Sequence, residues 1–295
     1  MSFLIITYNR KDDLTEVMNC LLKQTYQPLE IIVVDNNSTD GTDKVFDRMF
    51  DLPHIRYFKM SENLGVSGGR NVAIKKATGE ILITIDDDAI LEDPEATTKI
   101  VKKFSEEPYV GVLAFKIVNY FSGKLQKNAF PCRDKKRDPD REFETTWFIG
   151  AGHAIRREVY ETVGIYRDYW PWGSEEYDLA LQTVNLGFKI VYFPKVVVRH
   201  KISPAGRISN LGRFKAIALK HRLKAAILNL PWYSVLTMLL VRSVQVLFVT
   251  RCNFYSLALA YYWLIRDLPK MIKQRKLICK KAVRKLRALK GPLYF

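Results

Sequence analysis

A chain of 295 residues with 48% hydrophobic and 26% charged residues can bury a substantial core, which excludes a disordered, collagenous or disulfide-stapled miniprotein. The formal charge of +16 is unevenly spread: residues 1–200 carry 27 Lys/Arg and 30 Asp/Glu (net −3), and residues 201–295 carry 20 Lys/Arg and one acid, Asp267 (net +19). That asymmetry points to an anionic partner for the C-terminal stretch, either nucleic acid or a membrane surface.

Residues 3–7 read as a short buried strand, and Asp12 or Asp13 can cap a helix to about Gln24 with Leu14, Val17, Met18 and Leu21 at helical spacing. A second strand over 30–34 ends at Asp35, and residues 36–42 supply turn chemistry and a cap for the next helix. Residues 55–58 predict a third strand, 67–77 a helix, and 81–85 a fourth strand that stops at Asp86-Asp87-Asp88. This alternation predicts a largely parallel α/β sheet, in which ligands gather at the carboxyl ends of the strands. Asn9, Asp35 and Asp86–Asp88 fall at those ends. Further on, 110–115 and 189–193 read as strands, 157–162 and 177–186 as helices, and 123–142 as a polar, basic loop. Cys20, Cys132, Cys252 and Cys279 form no C-x-x-C pair, so the expected setting is a reducing cytosol. The apolar start, Met1 to Ile6, has no basic segment or cleavage site of a signal peptide.

Three adjacent carboxylates repel one another unless a cation neutralises them. Alternate residues of an extended chain share a side, so Asp86 and Asp88 can share one hard divalent ion, whose natural cargo is a diphosphate. Asn63 to Asn71, with Gly65, Gly68, Gly69 and Arg70, is a glycine-rich loop opening a helix, a place where backbone amides favour anions.

In order, Thr7-Tyr8-Asn9-Arg10, Val34 to Thr42, the Asn63–Asn71 loop and Asp86-Asp87-Asp88 resemble the family-2 inverting glycosyltransferases of GT-A fold, of the rhamnosyl- or galactofuranosyltransferase kind, over roughly residues 1–200. The resemblance implies that Asp35 reads the donor's base, and that Thr7, Tyr8, Asn9 and Arg10 line a nucleotide pocket with Asn37, Asn63, Gly65, Arg70 and Asp87. It also implies that Asp86 and Asp88 hold Mg²⁺ or Mn²⁺ against the pyrophosphate. Ser174-Glu175-Glu176-Tyr177-Asp178-Leu179 resembles the family's acidic motif, with Glu176 at the general-base position and Glu175 and Asp178 as alternatives. The family usually has Asp where Glu176 stands. His200, 24 residues beyond Glu176, resembles the third metal ligand. Trp170 and Trp172 offer flat faces for a sugar ring, and Phe148 to Ala154 resembles an acceptor-side segment with His153 as a contact. The implied reaction is metal-assisted transfer of one sugar from a UDP- or dTDP-sugar to a hydroxyl of a lipid-linked or cell-surface glycan, with polyprenyl phosphate as an alternative acceptor.

After Pro204 the pattern changes. Ala216, Leu219, Leu223, Ala226, Ile227 and Leu230 form a helical stripe, 232–249 is apolar but for Arg242 and Gln245, and 254–265 is apolar and aromatic. Residues 266–290 then hold 11 Lys/Arg. Apolar stretches alternating with basic clusters suit an interfacial membrane anchor better than a nucleic-acid reader, and Arg242 argues against a spanning helix. The expected organisation is a GT-A domain over 1–205 and a basic, amphipathic, membrane-associating helical region over 206–295, at the cytoplasmic face of the membrane. A sugar nucleotidyltransferase would need a G-x-G-T-R-like loop after the first strand, and a processive synthase a Q-x-x-R-W element; neither occurs. A basic-tailed binding module would need no aspartate cluster, acidic motif and spaced histidine together.

Overall fold

The computed structural model describes residues 1–47, 52–134, 136–169, 171–202 and 210–291. Trp170 and the expected boundary at 205/206 lie outside them. Strand and helix alternate through Ser2–Thr7 (β1), Lys11–Leu21 (α1), Glu30–Asp35 (β2), Asp43–Asp47 (α2), Ile55–Lys59 (β3), Gly65–Lys76 (α3), Ile81–Ile85 (β4), Ala89–Ile90 (β5) and Ala96–Glu106 (α4). The chain continues through Val110–Asn119 (β6), Phe143–Thr145 (β7), Gly152–Arg156 (β8), Arg157–Val163 (α5), Glu175–Asn185 (α6) and Lys189–His200 (β9). Four helices follow: Leu211–Asn229 (α7), Trp232–Val249 (α8), Phe254–Lys273 (α9) and Lys280–Ala288 (α10).

Period-two alternation makes one sheet the middle layer of the molecule. Leu4, Ile32, Val34 and Leu82 point to one face, and Phe3, Ile5, Ile31, Val33, Ile83 and Ile85 to the other. Among the described residues nine strands pair in the order β3-β2-β1-β4-β8-β6-β9-β5, with β7 on β9. The sheet is mixed and mostly parallel at its N-terminal side, as the alternation predicts. Three antiparallel strands were not anticipated: β8, inserted between β4 and β6, and β5 and β7, both on β9. Nor was α4, whose Ile100 and Phe104 cover the face formed by Ile5 and Ile83. β5 and β7 are two and three residues long, too short for any periodic signal.

β1 lies between β2 and β4, so the connections leave it in opposite directions and open a crevice beyond its carboxyl end. Because β8 runs against β4, with Ile85 opposite Gly152, the segment entering β8 arrives at that same edge. His200, at the end of β9, is registered against Ala89 and so stands beside Asp88.

The C-terminal helices are part of this core. The predicted stripe of Ala216, Leu219, Leu223, Ala226, Ile227 and Leu230 is buried in the same apolar cluster as Leu4, Ile32 and Leu82. Several tail cations serve the fold: Lys220 pairs with Asp267 at 2.9 Å, Lys285 with Glu144 at 2.5 Å, and Arg275 donates to the Ile227 and Leu230 carbonyls while stacking on Trp232. On α8 the inner line is Val235, Met238, Arg242 and Val246, with the Arg242 Nε buried. The outer line of Trp232, Leu236, Leu240, Val244 and Phe248 is exposed, up to 86% at Phe248. Arg242 therefore does not interrupt the apolar outer face. Among the described residues α8 is the one helix long and apolar enough to cross a membrane by length and composition, at 18 residues. That is about 27 Å of helix against a hydrocarbon core of about 30 Å.

If α7 is integral to the core, Leu223→Ala should cost about 2–5 kcal/mol, the range for a buried leucine. Urea unfolding should show this as a shift of one cooperative transition; a shift confined to a separate minor transition would mean the helical region folds independently.

Candidate active site

The crevice beyond β1 and β4 encloses a cavity of about 500 Å³. Thr7, Tyr8, Arg10, Asn63, Gly65, Arg70, Asp86, Asp87, Trp172, Glu175, Glu176 and His200 all line it. They come from five separate stretches of the sequence, brought together by the switch in strand order and by the register of β9 against β5.

Arg70, on α3, is the central group. Its side chain is only 3% exposed; Nη1 lies 2.6 Å from Glu176 Oε1 and 3.6 Å from Glu175 Oε1, and Nη2 lies 3.4 Å from Asp86 Oδ1. The ring of Tyr166 lies below it at 5.6 Å. Burial opposes its charge, but Glu176, Asp86 and Glu175 outweigh that and raise its pKa. Gly150 leaves room for the arrangement: a Cβ there would stand 2.2 Å from Arg70 Nη2 and 2.6 Å from Glu176 Oε1, so any larger residue would displace that pair.

Arg10 pairs with Asp87 at 2.8 Å and Asp88 at 3.3 Å. Burial, reinforced by Asp88 and Asp86, still pushes Asp87 up to about 7 despite Arg10. Burial and neighbouring Glu176 likewise push Glu175 up to about 8 against the pull of Arg70. Five carboxylates thus share two guanidiniums, an imbalance that a divalent cation relieves.

Asp86, Asp88 and His200 each offer one ligand atom, all within 4.8 Å of one another. His200 Nε2 is buried, makes no hydrogen bond and lies 3.2 Å from Asp88 Oδ1, while its Nδ1 meets Gln126 Oε1 at 3.1 Å. An imidazole oriented through its far nitrogen beside two carboxylates is a donor set that fits Mg²⁺ or Mn²⁺.

The acidic motif is divided by its surroundings. Gly173 and Ser174 both adopt positive φ (103° and 71°), turning the chain sharply so that α6 begins with Glu175 and Glu176 facing the cavity. Asp178 faces the other way: Arg167 Nη1 donates to its Oδ1 at 2.9 Å and Asn229 Nδ2 at 2.5 Å, tying α6 to α7. Held there, it lies off the cavity wall.

Other expected contacts also lie off the cavity wall. Asp35 is fully buried; its carboxylate accepts from Ser38 N at 2.8 Å and Tyr57 OH at 2.5 Å, so it orders the turn after β2 and presents no open face to a nucleobase. Asn37 donates to Ser61 O, and Asn9 accepts from Thr39 N; both shape loops from left-handed backbone positions. His153, expected on the acceptor side, is buried in β8, bonded to Ile149 O at 2.9 Å and 3.3 Å from the Tyr166 hydroxyl. The residues of that segment reaching the cavity are Ile149, Gly150 and Ala151. Sequence reasoning also missed Gln126 and Asn128, in a loop with no periodic signal, and Phe214 of α7, whose ring packs tilted against Trp172 at 4.7 Å.

Comparison with known proteins agrees with this geometry. The model of glycosyl transferase family 2 matches residues 2–164. The chain is 27% identical over 210 residues to the O-antigen chain rhamnosyltransferase RfbN of Salmonella typhimurium, covering 68% of this chain and 66% of that protein. It is 30% identical over 219 residues to a glucosyl-dolichyl phosphate glucuronosyltransferase of Haloferax volcanii, covering 68% and 69%. A mannosyltransferase of Pyrobaculum calidifontis, solved with GDP-Man and Mn²⁺, has the same fold with a TM-score of 0.60 at 21% identity, over 97% of this chain and 78% of that one.

Two of the buried histidines, His153 and His221, make stability acid-sensitive. Burial holds His153 down to about 3 and His221 down to about 4, against about 6.5 in an unfolded chain. The unfolded state therefore takes up protons first, and stability should be full above pH about 6.5 and fall as pH drops, by up to about 1.4 kcal/mol per pH unit for each histidine. Urea midpoints measured downward from neutral pH read this slope, and His153→Gln should remove one histidine's share of it.

Proposed function

The chain belongs to glycosyl transferase family 2, a nucleotide-sugar glycosyltransferase, and we propose that it moves one sugar, with inversion and metal dependence, from a UDP- or dTDP-sugar to a hydroxyl of a lipid-linked or cell-surface glycan. The observation that carries this reading is the Arg70 bridge, which sets Glu176 and the metal-site carboxylate Asp86 in one cavity.

Asp86, Asp88 and His200 would hold the divalent ion, which when bound supplies Lewis-acid stabilisation of charge on the departing nucleoside diphosphate. Arg10 and the amides opening α3 at Gly65 favour the donor's phosphates at the same wall. Arg70 engages Oε1 of Glu176, which leaves Oε2 to take the proton of the acceptor hydroxyl as that oxygen attacks the anomeric carbon from the face opposite the leaving group. Burial and neighbouring Glu176 favour the protonated form of Glu175, which suits it less to that task. Trp172 backed by Phe214 gives a flat surface for the acceptor sugar.

The relatives' names, an O-antigen chain transferase and a glucosyl-dolichyl phosphate transferase, support a glycan or lipid-linked acceptor. The apolar outer face of α8, together with exposed Phe254, Tyr255, Tyr262 and Ile265 on α9, supports association with the cytoplasmic membrane face, aided by the cations of 266–290.

A donor screen measuring nucleoside-diphosphate release with UDP-, dTDP- and GDP-sugars identifies the substrate. Glu176→Gln should lower turnover by about 10²-fold or more with donor affinity unchanged, the usual scale for a general base. If Glu175→Gln shows that pattern and Glu176→Gln does not, the base is Glu175. Asp88→Ala should abolish metal-dependent donor binding in calorimetry; wild-type binding that is equal with and without chelator overturns the metal assignment.

A further inference from the structure

The starts of α7 and α9 enclose a second cavity, of about 390 Å³, apart from the site described above. Asn210, Gly212 and Arg213 line it from the start of α7, and Asn253, Tyr255 and Trp263 from α9 and its cap. Polar atoms converge on the bare Cα of Gly212. A Cβ there would stand 2.8 Å from Ser256 Oγ, 3.3 Å from Asn253 Nδ2 and 3.4 Å from Asn210 Oδ1. Ser256 is fully buried, and its hydroxyl has no hydrogen-bond partner. Asn253 caps α9 by accepting from Ser256 N through Oδ1 at 3.3 Å, which leaves Nδ2 to donate.

Charge sets what the cavity can hold. Among the described residues no carboxylate lines it, and Arg213, which is exposed, forms no ion pair. Neither helix has an acid in its first turn. Two helix N-termini, a guanidinium, an amide and an unmatched hydroxyl therefore meet where no acidic group answers them. A phosphate supplies several acceptor oxygens and a negative charge, and it suits both a guanidinium fork and helix N-termini.

We propose that this cavity binds the phosphate of an anionic membrane lipid, with Arg213 as its cation. The inference rests on the membrane association proposed above and deepens it by giving one headgroup a defined seat. The surroundings select a lipid. Tyr255 is at once a wall of the cavity and exposed, beside exposed Phe254, and exposed Phe248 and Val249 end α8 just before this turn. Aromatic side chains around a cationic pocket suit the headgroup level of a bilayer. Along α7, Phe214 follows Arg213 and packs against Trp172 in the active-site cavity. A lipid phosphate held by Arg213 thus brings the Trp172 wall of that cavity toward the membrane surface, where a lipid-linked hydroxyl is presented.

The test is flotation of the full chain with phosphatidylcholine vesicles, with and without phosphatidylglycerol. The wild type should bind the phosphatidylglycerol vesicles more tightly. Arg213→Gln, at an exposed position, should lose about tenfold or more of that affinity, the scale of hydrogen bonds to a charged group, with its urea midpoint unchanged. Lys273→Gln removes the same charge from the far end of α9, outside the cavity, and should lose about fivefold at most. Equal losses from the two variants would assign binding to general headgroup attraction and overturn the seat. So would release of the wild type from the vesicles by millimolar inorganic phosphate at fixed ionic strength, which would assign the cavity to a free anion. Failure of the wild type to float with either vesicle would overturn the membrane association and the seat with it. The transferase reading fails separately, by absent nucleoside-diphosphate release with every donor, a measurement in which these vesicles take no part.

Discussion

A buried guanidinium can stay in a protein interior only if carboxylates surround it, and Arg70 meets that condition with Glu175, Glu176 and Asp86. The requirement works in both directions. Without Arg70, the start of α6 and the turn after β4 would confront each other as like charges; with it, two segments ninety residues apart become one rigid site. The bare Cα of Gly150 follows from this packing, as does the sharp turn at Gly173 and Ser174 that brings α6 in at the right angle.

The same crowding of negative charge explains the rest of the cavity. Arg10 neutralises part of the aspartate turn, burial keeps Asp87 and Glu175 reluctant to ionise, and the atoms left facing one another are Asp86, Asp88 and His200. Asp178, identical in kind to its neighbours in the acidic motif, is removed from this competition by Arg167 and Asn229 and serves instead as the clasp between α6 and α7. An acid facing the cavity and an acid facing α7 thus stand two residues apart on one helix, and 100° of rotation per residue decides which is which.

The basic tail divides similarly. Lys220, Lys285 and Arg275 are consumed by partners inside the fold, and α7 is a wall of the cavity through Phe214 as well as part of the core. What remains outward on α8 is apolar. A net charge summed along the chain cannot separate these roles.

The α/β alternation, the first four strands, the aspartate turn, the glycine-rich opening of α3 and the helical stripe of α7 were legible in the sequence, because each is written in local periodicity, turn chemistry or contiguous motif; that the stripe packs into the core of the sheet was not. His200 as a partner of Asp88 could be suspected from the resemblance but rests physically on the β5–β9 register, which no local pattern reveals. The inserted strand β8 was invisible because its five residues carry His and Arg and read as neither period. Asp35 and His153 were placed at the site by position in a motif, yet hydrogen bonds from Tyr57 and to Ile149 turn them into the wall behind it. The sequence by itself determined which residue types stand at the strand ends and that the chain buries two apolar faces around a sheet. Only the tertiary structure decided which carboxylate meets Arg70, which faces α7, and which way Arg242 points, because those outcomes depend on directions between elements rather than on spacing along the chain.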